Sequence, residues 1–393
     1  MRLDAPGRRA AIFFTAAVIV FGLYVRFAGL RDVFCHSPDE LAEVMPGLRL
    51  HGLPFFNFRD PIRYNFIQSA FYSQHGLGDV SFYYLASGAL SLVGLPVSER
   101  SLFAVAGVTN LAFAAAGCIL AASLIESILT GWVFALLVLV SPFYVFVSKT
   151  GWGRLSWTPL IVILALLCQQ RALTSRSRIW AVVYWVLALF ASLTDAFIMM
   201  PILPVAAFLT TPGGAQARIR HLLRDRVFIV AMLAVASGMA FDVALGILAR
   251  RRGTDLTMIG YVLLRGGRGG LLPTLGVLGA WTACIDAYFP VRGMWIVVLI
   301  AFLLAARDGW RGHRIGIVAA WWLLASFGVF RYAAALRTAD PGAVPGWLNT
   351  YYLAPPSFLL VGWLVAGIIG HSAPAVHRGR RLAAASLVAA LTL

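Results

Sequence analysis

Residues 100–147 read RSLFAVAGVTNLAFAAAGCILAASLIESILTGWVFALLVLVSPFYVFV, which is two long apolar runs with a short break at Glu126-Ser127. An α-helix rises about 1.5 Å per residue, so about 20 apolar residues cross a hydrocarbon core of about 30 Å. The runs 100–123 and 129–147 are both of about this length. The stretch therefore predicts two membrane-spanning helices joined by a tight turn.

Ten further apolar runs set the overall character of the chain. Of its 393 residues, 60% are hydrophobic and 12% are charged, whereas an average soluble domain is roughly 25% charged. The mean hydropathy is +0.83. This composition excludes a soluble enzyme, a secreted disulfide scaffold and a disordered protein, and it predicts an all-α integral membrane protein. The ten runs are 11–30, 79–96, 158–171, 179–194, 196–211, 227–249, 291–306, 315–331, 351–370 and 382–393.

Basic residues between the apolar runs predict the orientation. The chain carries 32 basic and 16 acidic residues, a net charge of +16, and cytoplasmic loops of membrane proteins are enriched in Lys and Arg. Arg2, Arg8 and Arg9 precede the first run and predict a cytoplasmic N-terminus. The later short basic loops fall on the same side only if the run 79–96 lies along the outer surface instead of crossing. The sequence therefore predicts about eleven transmembrane helices together with external interfacial helices.

The long segments between spans predict where chemistry would occur. We predict a single polytopic membrane domain, 1–393, with a first external loop at 31–99 and a second long external loop at 250–290. The external segments carry most of the acidic residues, and long irregular segments of compact proteins are usually functional. A site on the non-cytoplasmic face is therefore expected.

The first external loop contains His36-Ser37-Pro38-Asp39-Glu40, a few residues past the end of the first span. One interpretation is that Asp39 caps a short amphipathic helix over Leu41 to Leu50. The other is that a carboxylate held at the lipid–water boundary acts as a general base. The residues alone leave both interpretations open.

Cationic side chains occur on the same predicted side of the membrane. They could stabilise a phosphate group, or their long side chains could reach lipid headgroups instead. The four cysteines show no metal-ligand spacing, and no basic-aromatic module of the nucleic-acid-binding kinds is present. The cations of the predicted external loops that we consider as candidates are Lys149, Arg154, Arg331 and Arg337, with Arg250 to Arg252, Arg265 and Arg268.

Four motifs in order along the chain resemble those of the GT-C superfamily of membrane glycosyltransferases. The resemblance is to the protein-mannosyltransferase and aminoarabinose-transferase-like group, the glycosyltransferase family 39 type, and it runs over essentially the whole chain. Each motif consists of common residues, but the order and the topology match the family. The motifs are Asp39-Glu40 after the first span; His75, Tyr83-Tyr84, Gly94 and Glu99-Arg100; Ser148 to Trp152; and Tyr351 to Pro356.

The resemblance implies a GT-C-like fold and the inverting transfer of a sugar from a polyprenyl-phosphate donor to an acceptor hydroxyl, on the non-cytoplasmic face. Asp39 would be the general base, and Glu40 would orient it or act as the alternative base. The remaining residues have roles that follow from the same resemblance. The donor phosphate would contact Lys149, Arg154, Arg331, Arg337, Tyr351 and Tyr352, and a donor or acceptor pocket would include His36, His75 and Trp152.

The resemblance leaves the cofactor open. The family includes metal-dependent and metal-independent schemes, so a divalent metal is compatible with it, yet the acid that the family often carries in the short external loop after the third span is absent from Trp152-Gly153-Arg154. The implied partners are a polyprenyl-phosphate-linked sugar, a glycan, lipid or protein acceptor and membrane lipids, with no nucleic acid. The implied location is the bacterial inner membrane, with the active site facing outward.

Another class of function also fits a polytopic membrane protein. A non-enzymatic transporter or flippase of lipid-linked sugars is one alternative, and a GT-C-like scaffold that has lost catalysis is another. A transporter is expected to carry acidic residues at mid-bilayer, whereas Asp39 and Glu40 follow the outer end of a predicted span. The placement of the acids therefore favours the enzyme.

Overall fold

A computed structural model describes residues 5–29, 77–150, 153–175, 177–192, 202–210, 214–224, 274–336 and 351–370, with isolated residues at 44, 47–48 and between 229 and 244. This part of the chain is helical, with short turns and no β-strand. It contains thirteen helices in these ranges: α1 (Ala5–Phe27), α2 (Leu77–Leu92), α3 (Glu99–Ile125), α4 (Ile128–Val140), α5 (Pro142–Val147), α6 (Gly153–Ser175), α7 (Arg178–Ser192), α8 (Ile202–Thr210), α9 (Ala215–Leu222), α10 (Thr274–Tyr288), α11 (Met294–Trp310), α12 (Ile315–Leu336) and α13 (Ala354–Gly370).

Short polar residues fix the boundaries of α3 and α4. Ser98 and Ser101 form a capping box at the start of α3, which satisfies amide groups that have no partner within the helix. Glu126 ends α3 in the left-handed conformation, with φ 55°. Ser127 then accepts a hydrogen bond from the Thr130 amide and begins α4. The break predicted at Glu126-Ser127 is therefore a tight helix–helix turn.

The predicted run 129–147 is two helices and not one. The α4 helix ends at Val140, and the short α5 helix begins at Pro142. Proline has no amide hydrogen and its ring clashes with the preceding turn, so a helix that reaches it must break or kink. The Ser141 hydroxyl accepts a hydrogen bond from the Tyr144 amide at 3.4 Å and so caps α5.

Glycine and aromatic residues pack the central helices closely together. The α3 helix packs against both α4 and α6, and α13 packs against α4. The Phe134 ring of α4 lies over Gly117 of α3 and meets the Phe358 ring of α13 at 6.1 Å. Gly362 of α13 faces the Thr130 carbonyl of α4. Small residues let these helix backbones approach closely, as is common between membrane helices.

The bundle has two ends, which contacts between helix termini define. At one end, Arg314 of the α11–α12 turn lies 3.4 Å from Glu126 of the α3–α4 turn; we call this the turn end. At the other, the C-terminal end of α1 meets the first turns of α3, because Phe27 packs against Gly107; we call this the loop end. The α3 helix runs from the loop end to the turn end, and α4 returns.

The α2 helix lies at the loop end. Its Phe82 ring meets the Trp157 ring of α6 at 5.4 Å, and its Tyr83 ring meets the Phe103 ring of α3 at 6.4 Å. Both partners belong to the first turns of their helices. The run 79–96 thus contains a helix packed at the loop end, and its position along the membrane surface stays a prediction.

Three of the described helices are long and apolar enough to cross a bilayer: Glu99–Ile125, Leu155–Ala172 and Tyr351–Ile369. Shorter apolar helices accompany them, and large apolar side chains such as Trp180 and Leu303 are exposed on their outer faces. An exposed apolar surface of this kind suits a lipid environment. The described part of the chain is thus an all-helical membrane domain, but it does not confirm the number of eleven spans.

The predicted external loop 250–290 contains a packed helix. The α10 helix contacts α12, and its Cys284, Ile285 and Tyr288 are buried in the main core. The Asp286 carboxylate accepts a hydrogen bond from the Gly293 amide at 2.9 Å, which ties the end of α10 to the start of α11. The last predicted run, 382–393, lies outside the described residues.

The contact between Gly117 and Phe134 leads to a prediction about stability. A Cβ atom at position 117 would overlap the Phe134 ring, and overpacking of this kind costs about 1–3 kcal/mol. We expect Gly117→Ala to lower the free energy of unfolding by this amount in purified protein in detergent, measured by thermal unfolding. Adding Phe134→Leu should restore part of the loss, since the two residues are in contact.

The control is Gly279→Ala in α10, where a new Cβ meets nothing within 4 Å. Alanine has the higher helix propensity, so this variant should be as stable as the parent or more so. Equal losses in Gly117→Ala and Gly279→Ala would contradict the packing argument.

Candidate functional site

Arg26 organises the loop end of the bundle. It lies one residue before the end of α1 and is completely buried. One terminal nitrogen, Nη1, donates to the Leu139 carbonyl at 2.7 Å and to the Gly22 carbonyl at 3.0 Å. The other, Nη2, donates to the Val138 carbonyl at 2.6 Å and to the Asn110 side-chain oxygen at 3.3 Å. All four acceptors are neutral oxygens.

The break in α4 explains why the guanidinium is needed. In a continuous helix the Val138 carbonyl would accept from the amide of residue 142, but that residue is Pro142 and has no amide hydrogen. The negative end of the α4 dipole also lies at Val138 and Leu139, where a cation is stabilising. Arg26 therefore supplies the donors that the helix itself lacks, in a region where water cannot replace them.

Asn110 links this interaction to α5. Its side-chain oxygen accepts from Arg26, and its side-chain nitrogen donates to the Tyr144 carbonyl of α5 at 3.4 Å. On the other side of the break, the Ser141 hydroxyl donates to the Tyr288 carbonyl of α10 at 2.6 Å. The network joins α1, α3, α4, α5 and α10, so the chain leaves α1 from a fixed position.

The turn that carries Lys149 is held by α2. The Tyr83 hydroxyl donates to the Thr150 carbonyl at 3.0 Å, and the Phe82 and Tyr83 rings cover Gly153 at the start of α6. Lys149 itself is half-buried in this turn, and its amide donates to the Phe146 carbonyl at 2.9 Å. The predicted cation is therefore on a fixed turn at the loop end.

A part of the first external loop packs on the same surface. Val44 is fully buried and belongs to one apolar cluster with residues of α2 and of the first two turns of α3. Leu48 packs against that cluster as well. Asp39 and Glu40 precede Val44 by five and four residues, but they lie outside the described residues.

Predicted site residues close to α13 also lie at the loop end. Gly362 and Phe358 of α13 meet Thr130 and Phe134 of α4, so α13 runs antiparallel to α4. This register puts the start of α13 level with the end of α4. Tyr351 and Tyr352 immediately precede α13, and both are buried.

Tyr352 has a clear packing role. Its ring lies against Gly328 of α12, and it meets the Tyr351 ring at 5.5 Å. Arg331 lies one helical turn beyond Gly328 in α12, toward the loop end. Burial of the two tyrosines is thus explained by helix packing, and a phosphate contact through their hydroxyl groups stays a prediction.

Several predicted site residues lie outside the described residues. They are His36, Asp39, Glu40, His75, Trp152 and Arg337, and the side chains of Arg154 and Arg331 are also not described, although their backbones belong to α6 and α12. Among the residues that the structure does describe, no three His, Cys, Asp or Glu side chains come together as metal ligands. The described residues therefore offer no ligand set for a divalent metal.

Sequence reasoning missed Arg26 and Asn110. An arginine near the end of an apolar span ordinarily reaches the lipid–water boundary, and Arg26 has no acidic neighbour in the sequence that would mark it as buried. The available signal was Pro142 inside the run 129–147, because a proline there frees a carbonyl that some donor must satisfy.

The fold is similar to that of the archaeal oligosaccharyltransferase AglB from Archaeoglobus fulgidus. Its complex with an inhibitory peptide and a dolichol-phosphate has a TM-score of 0.57 at 12% sequence identity, over 99% of this chain and 55% of that chain. The form tethered to an acceptor peptide has a TM-score of 0.55 at 14% identity, over 97% and 54%. The complex with Zn and sulfate has a TM-score of 0.54 at 14% identity, over 96% and 51%.

This likeness shows the fold, since the identities are low. No protein-family model matches the chain, and no curated protein sequence matches it. The chain spans about half the length of the oligosaccharyltransferases. Those proteins are GT-C membrane enzymes, so the GT-C-like fold implied by the sequence motifs is supported, whereas the family 39 type is not singled out.

The Arg26 network leads to a second prediction. Arg26→Met keeps an unbranched side chain but leaves the Val138 and Leu139 carbonyls without these donors. Hydrogen bonds to charged groups contribute about 1.5–3 kcal/mol, and an unsatisfied buried acceptor costs about 1–3 kcal/mol. We expect a loss of about 3 kcal/mol in the free energy of unfolding in detergent, followed by far-UV circular dichroism.

Arg26→Lys should fall between the parent and Arg26→Met, because one ammonium cannot reproduce the planar fork of a guanidinium. The matched control is Arg311→Met, since Arg311 is exposed at the end of α11 and surface changes usually stay within about 0.5 kcal/mol. An Arg26→Met variant as stable as Arg311→Met would show that the network does not stabilise the fold.

Proposed function

We propose that this chain is an inverting glycosyltransferase that moves a sugar from a polyprenyl-phosphate donor to an acceptor hydroxyl. The reaction takes place on the non-cytoplasmic face of the membrane, at the loop end of the bundle. The single observation that carries the proposal is the packing there of three elements: the end of α1, the first-loop residue Val44 and the Lys149 turn. Each adjoins a motif of the resemblance.

In the proposed reaction Asp39 acts as the general base. Its carboxylate takes the proton of the acceptor hydroxyl, whose oxygen forms a bond to the anomeric carbon of the donor sugar. The bond between that carbon and the phosphate oxygen breaks, and the polyprenyl phosphate leaves with the electron pair. Attack opposite the leaving group inverts the configuration. Glu40 orients Asp39 or serves as the alternative base.

The leaving phosphate requires positive charge that is already in position, because charge develops on it in the transition state. Lys149 has this role in the proposal, since its turn is fixed by Tyr83 and α6. The other proposed phosphate contacts are Arg154, Arg331, Arg337, Tyr351 and Tyr352. The proposed donor or acceptor pocket contains His36, His75 and Trp152.

The fold comparison supports this class of donor. One AglB structure contains a dolichol-phosphate with an inhibitory peptide, and another a tethered acceptor peptide, so a similar fold accommodates a polyprenyl-type lipid phosphate in one structure and an acceptor in another. A glycan, lipid or protein acceptor fits the proposal equally. A bacterial inner membrane with the active site outward is the proposed location.

A metal has no assigned role in these steps. One neighbouring structure contains Zn and sulfate, but the described acidic and histidine residues of this chain do not form a ligand group. Asp39, Glu40 and other acidic residues of the predicted external loops lie outside the described residues.

The test of the function is sugar transfer by membranes that contain the protein. Asp39→Asn keeps the size of the side chain and removes the base, and general-base catalysis contributes typically 10²–10⁴-fold. We expect transfer of radiolabelled sugar from a polyprenyl-phosphate donor to fall by at least about 100-fold. The matched control is Asp308→Asn, because Asp308 lies at the turn end beside Arg307, and it should transfer normally.

If Asp39→Asn retains transfer and Glu40→Gln loses it, Glu40 is the general base. Retained transfer in both variants and in the double variant would refute the mechanism.

A further prediction concerns Lys149, the lone lysine among 32 basic residues. If its ammonium contacts the donor phosphate, Lys149→Gln removes a charge-assisted contact of about 1.5–3 kcal/mol, which is a loss of about 10- to 100-fold in kcat/KM for the donor. Lys149→Arg tests the shape of the site, because a guanidinium is broader than an ammonium. Normal transfer by both variants would leave Lys149 as an interfacial charge only.

A further inference from the structure

The α9 helix and the residues after it form a compact cationic segment. Residues 214–224 include Arg218, Arg220 and Arg224 and no acidic residue, and the next two residues, Asp225 and Arg226, cancel in charge. Arg220 and Arg224 are exposed. The segment is thus a positive surface that lies apart from the proposed catalytic residues in sequence.

Charged and apolar side chains form two adjacent stripes on this segment. Gln216 and Arg220 lie four apart on one face of α9, and Arg224, two residues past the helix end, lines the same surface, so the three form one stripe. Ile219 and Leu223 form the neighbouring stripe, with 52% and 66% of their surfaces exposed. An exposed apolar stripe beside a basic stripe is the pattern of a helix that lies in a membrane interface.

The segment packs on α8, a short apolar helix. The Arg218 guanidinium lies over the Phe208 ring of α8, 5.8 Å from its centroid, a distance at which a cation and an aromatic ring attract each other. The α8 sequence, ILPVAAFLT, carries no charge. The basic stripe therefore starts close to an apolar helix.

A groove follows the basic stripe. Its volume is about 410 Å³, and Gln216, Ala217, Arg220 and Arg224 line it. The two guanidinium groups and the amide are hydrogen-bond donors, and the small Ala217 leaves room between them. Guanidinium groups bind phosphate oxygens in a planar, two-pronged geometry.

We propose that α9 and Arg224 form a docking surface for an anionic phospholipid, whose headgroup phosphate occupies the groove between Arg220 and Arg224. The acyl chains then extend along Ile219 and Leu223. Charge complementarity selects the anionic lipid, because the cationic group of a zwitterionic headgroup cancels the attraction of the arginines. The surface does not depend on the proposed glycosyl transfer.

The experiment uses the purified, delipidated full chain in a neutral detergent. Dioleoyl phosphatidylglycerol and dioleoyl phosphatidylcholine are titrated separately, and bound lipid is counted by native mass spectrometry. We expect phosphatidylglycerol to bind in preference to phosphatidylcholine, and the preference to weaken as NaCl is raised. In Arg220→Gln/Arg224→Gln, phosphatidylglycerol binding should weaken about 30-fold, since each arginine near an anionic surface contributes about fivefold.

Two further variants separate a local site from overall charge. Arg220→Lys/Arg224→Lys keeps the charge and should lose less than the glutamine pair. Arg311→Gln/Arg314→Gln removes the same charge from exposed residues of the α11–α12 turn and should bind phosphatidylglycerol within about threefold of the parent. Circular dichroism should be unchanged throughout, because all four positions are exposed.

Any of the following results would overturn the proposal. One is equal binding of the two lipids by the parent chain. Another is unchanged phosphatidylglycerol binding in Arg220→Gln/Arg224→Gln, or an equal loss in the Arg311→Gln/Arg314→Gln control. The third is displacement of phosphatidylglycerol by inorganic phosphate at the same concentration, which would show a site for a free anion instead of a lipid.

Discussion

The Arg26 guanidinium donates hydrogen bonds to the carbonyls at the end of α4, and the loop end of the bundle is arranged around this contact. A donor is needed there because the helix breaks at Ser141-Pro142 and the Val138 carbonyl has no amide partner within the helix. In a membrane no water is available to satisfy that carbonyl. The Arg26 guanidinium of α1 does so. It also donates to the Asn110 side chain, which in turn donates to the Tyr144 carbonyl of α5. The position at which the first external loop begins and the position of the Lys149 turn are therefore set together.

Close backbone packing complements this polar contact in the centre of the bundle. Gly117, Gly131 and Gly362 bring α3, α4 and α13 near one another, and Phe134 and Phe358 fill the space between them. Lipid tails are as apolar as leucine, so apolar burial alone does little to associate such helices, and tight packing must contribute. The loop end depends on this packing because α4 presents its final carbonyls to Arg26 only when α3 and α13 hold α4 in place.

The helices and several of their ends could be predicted from the sequence because they depend on local properties. Run length and composition indicate the helices of residues 100–147, and Glu126-Ser127 marks their turn. The run 129–147 is predicted as one helix, although Pro142 breaks it. Arg26 could not be assigned in the same way, since its acceptors Val138 and Leu139 are main-chain carbonyls more than 100 residues away. Such acceptors leave no side-chain pattern in the sequence. The candidate base Asp39 was proposed from motif resemblance, and the described residues include only its neighbourhood, through Val44.

The separation between Arg26 and Leu139, 113 residues along the chain, has a consequence for biosynthesis. Translation at about 5–20 residues per second makes α4 roughly 6–23 seconds after α1. During that interval Arg26 has none of its α4 acceptors, and an isolated cation is costly inside the bilayer. Until the α3–α4 hairpin is made, Arg26 can be solvated only by water or headgroups at the membrane surface, which its position one residue before the end of α1 allows.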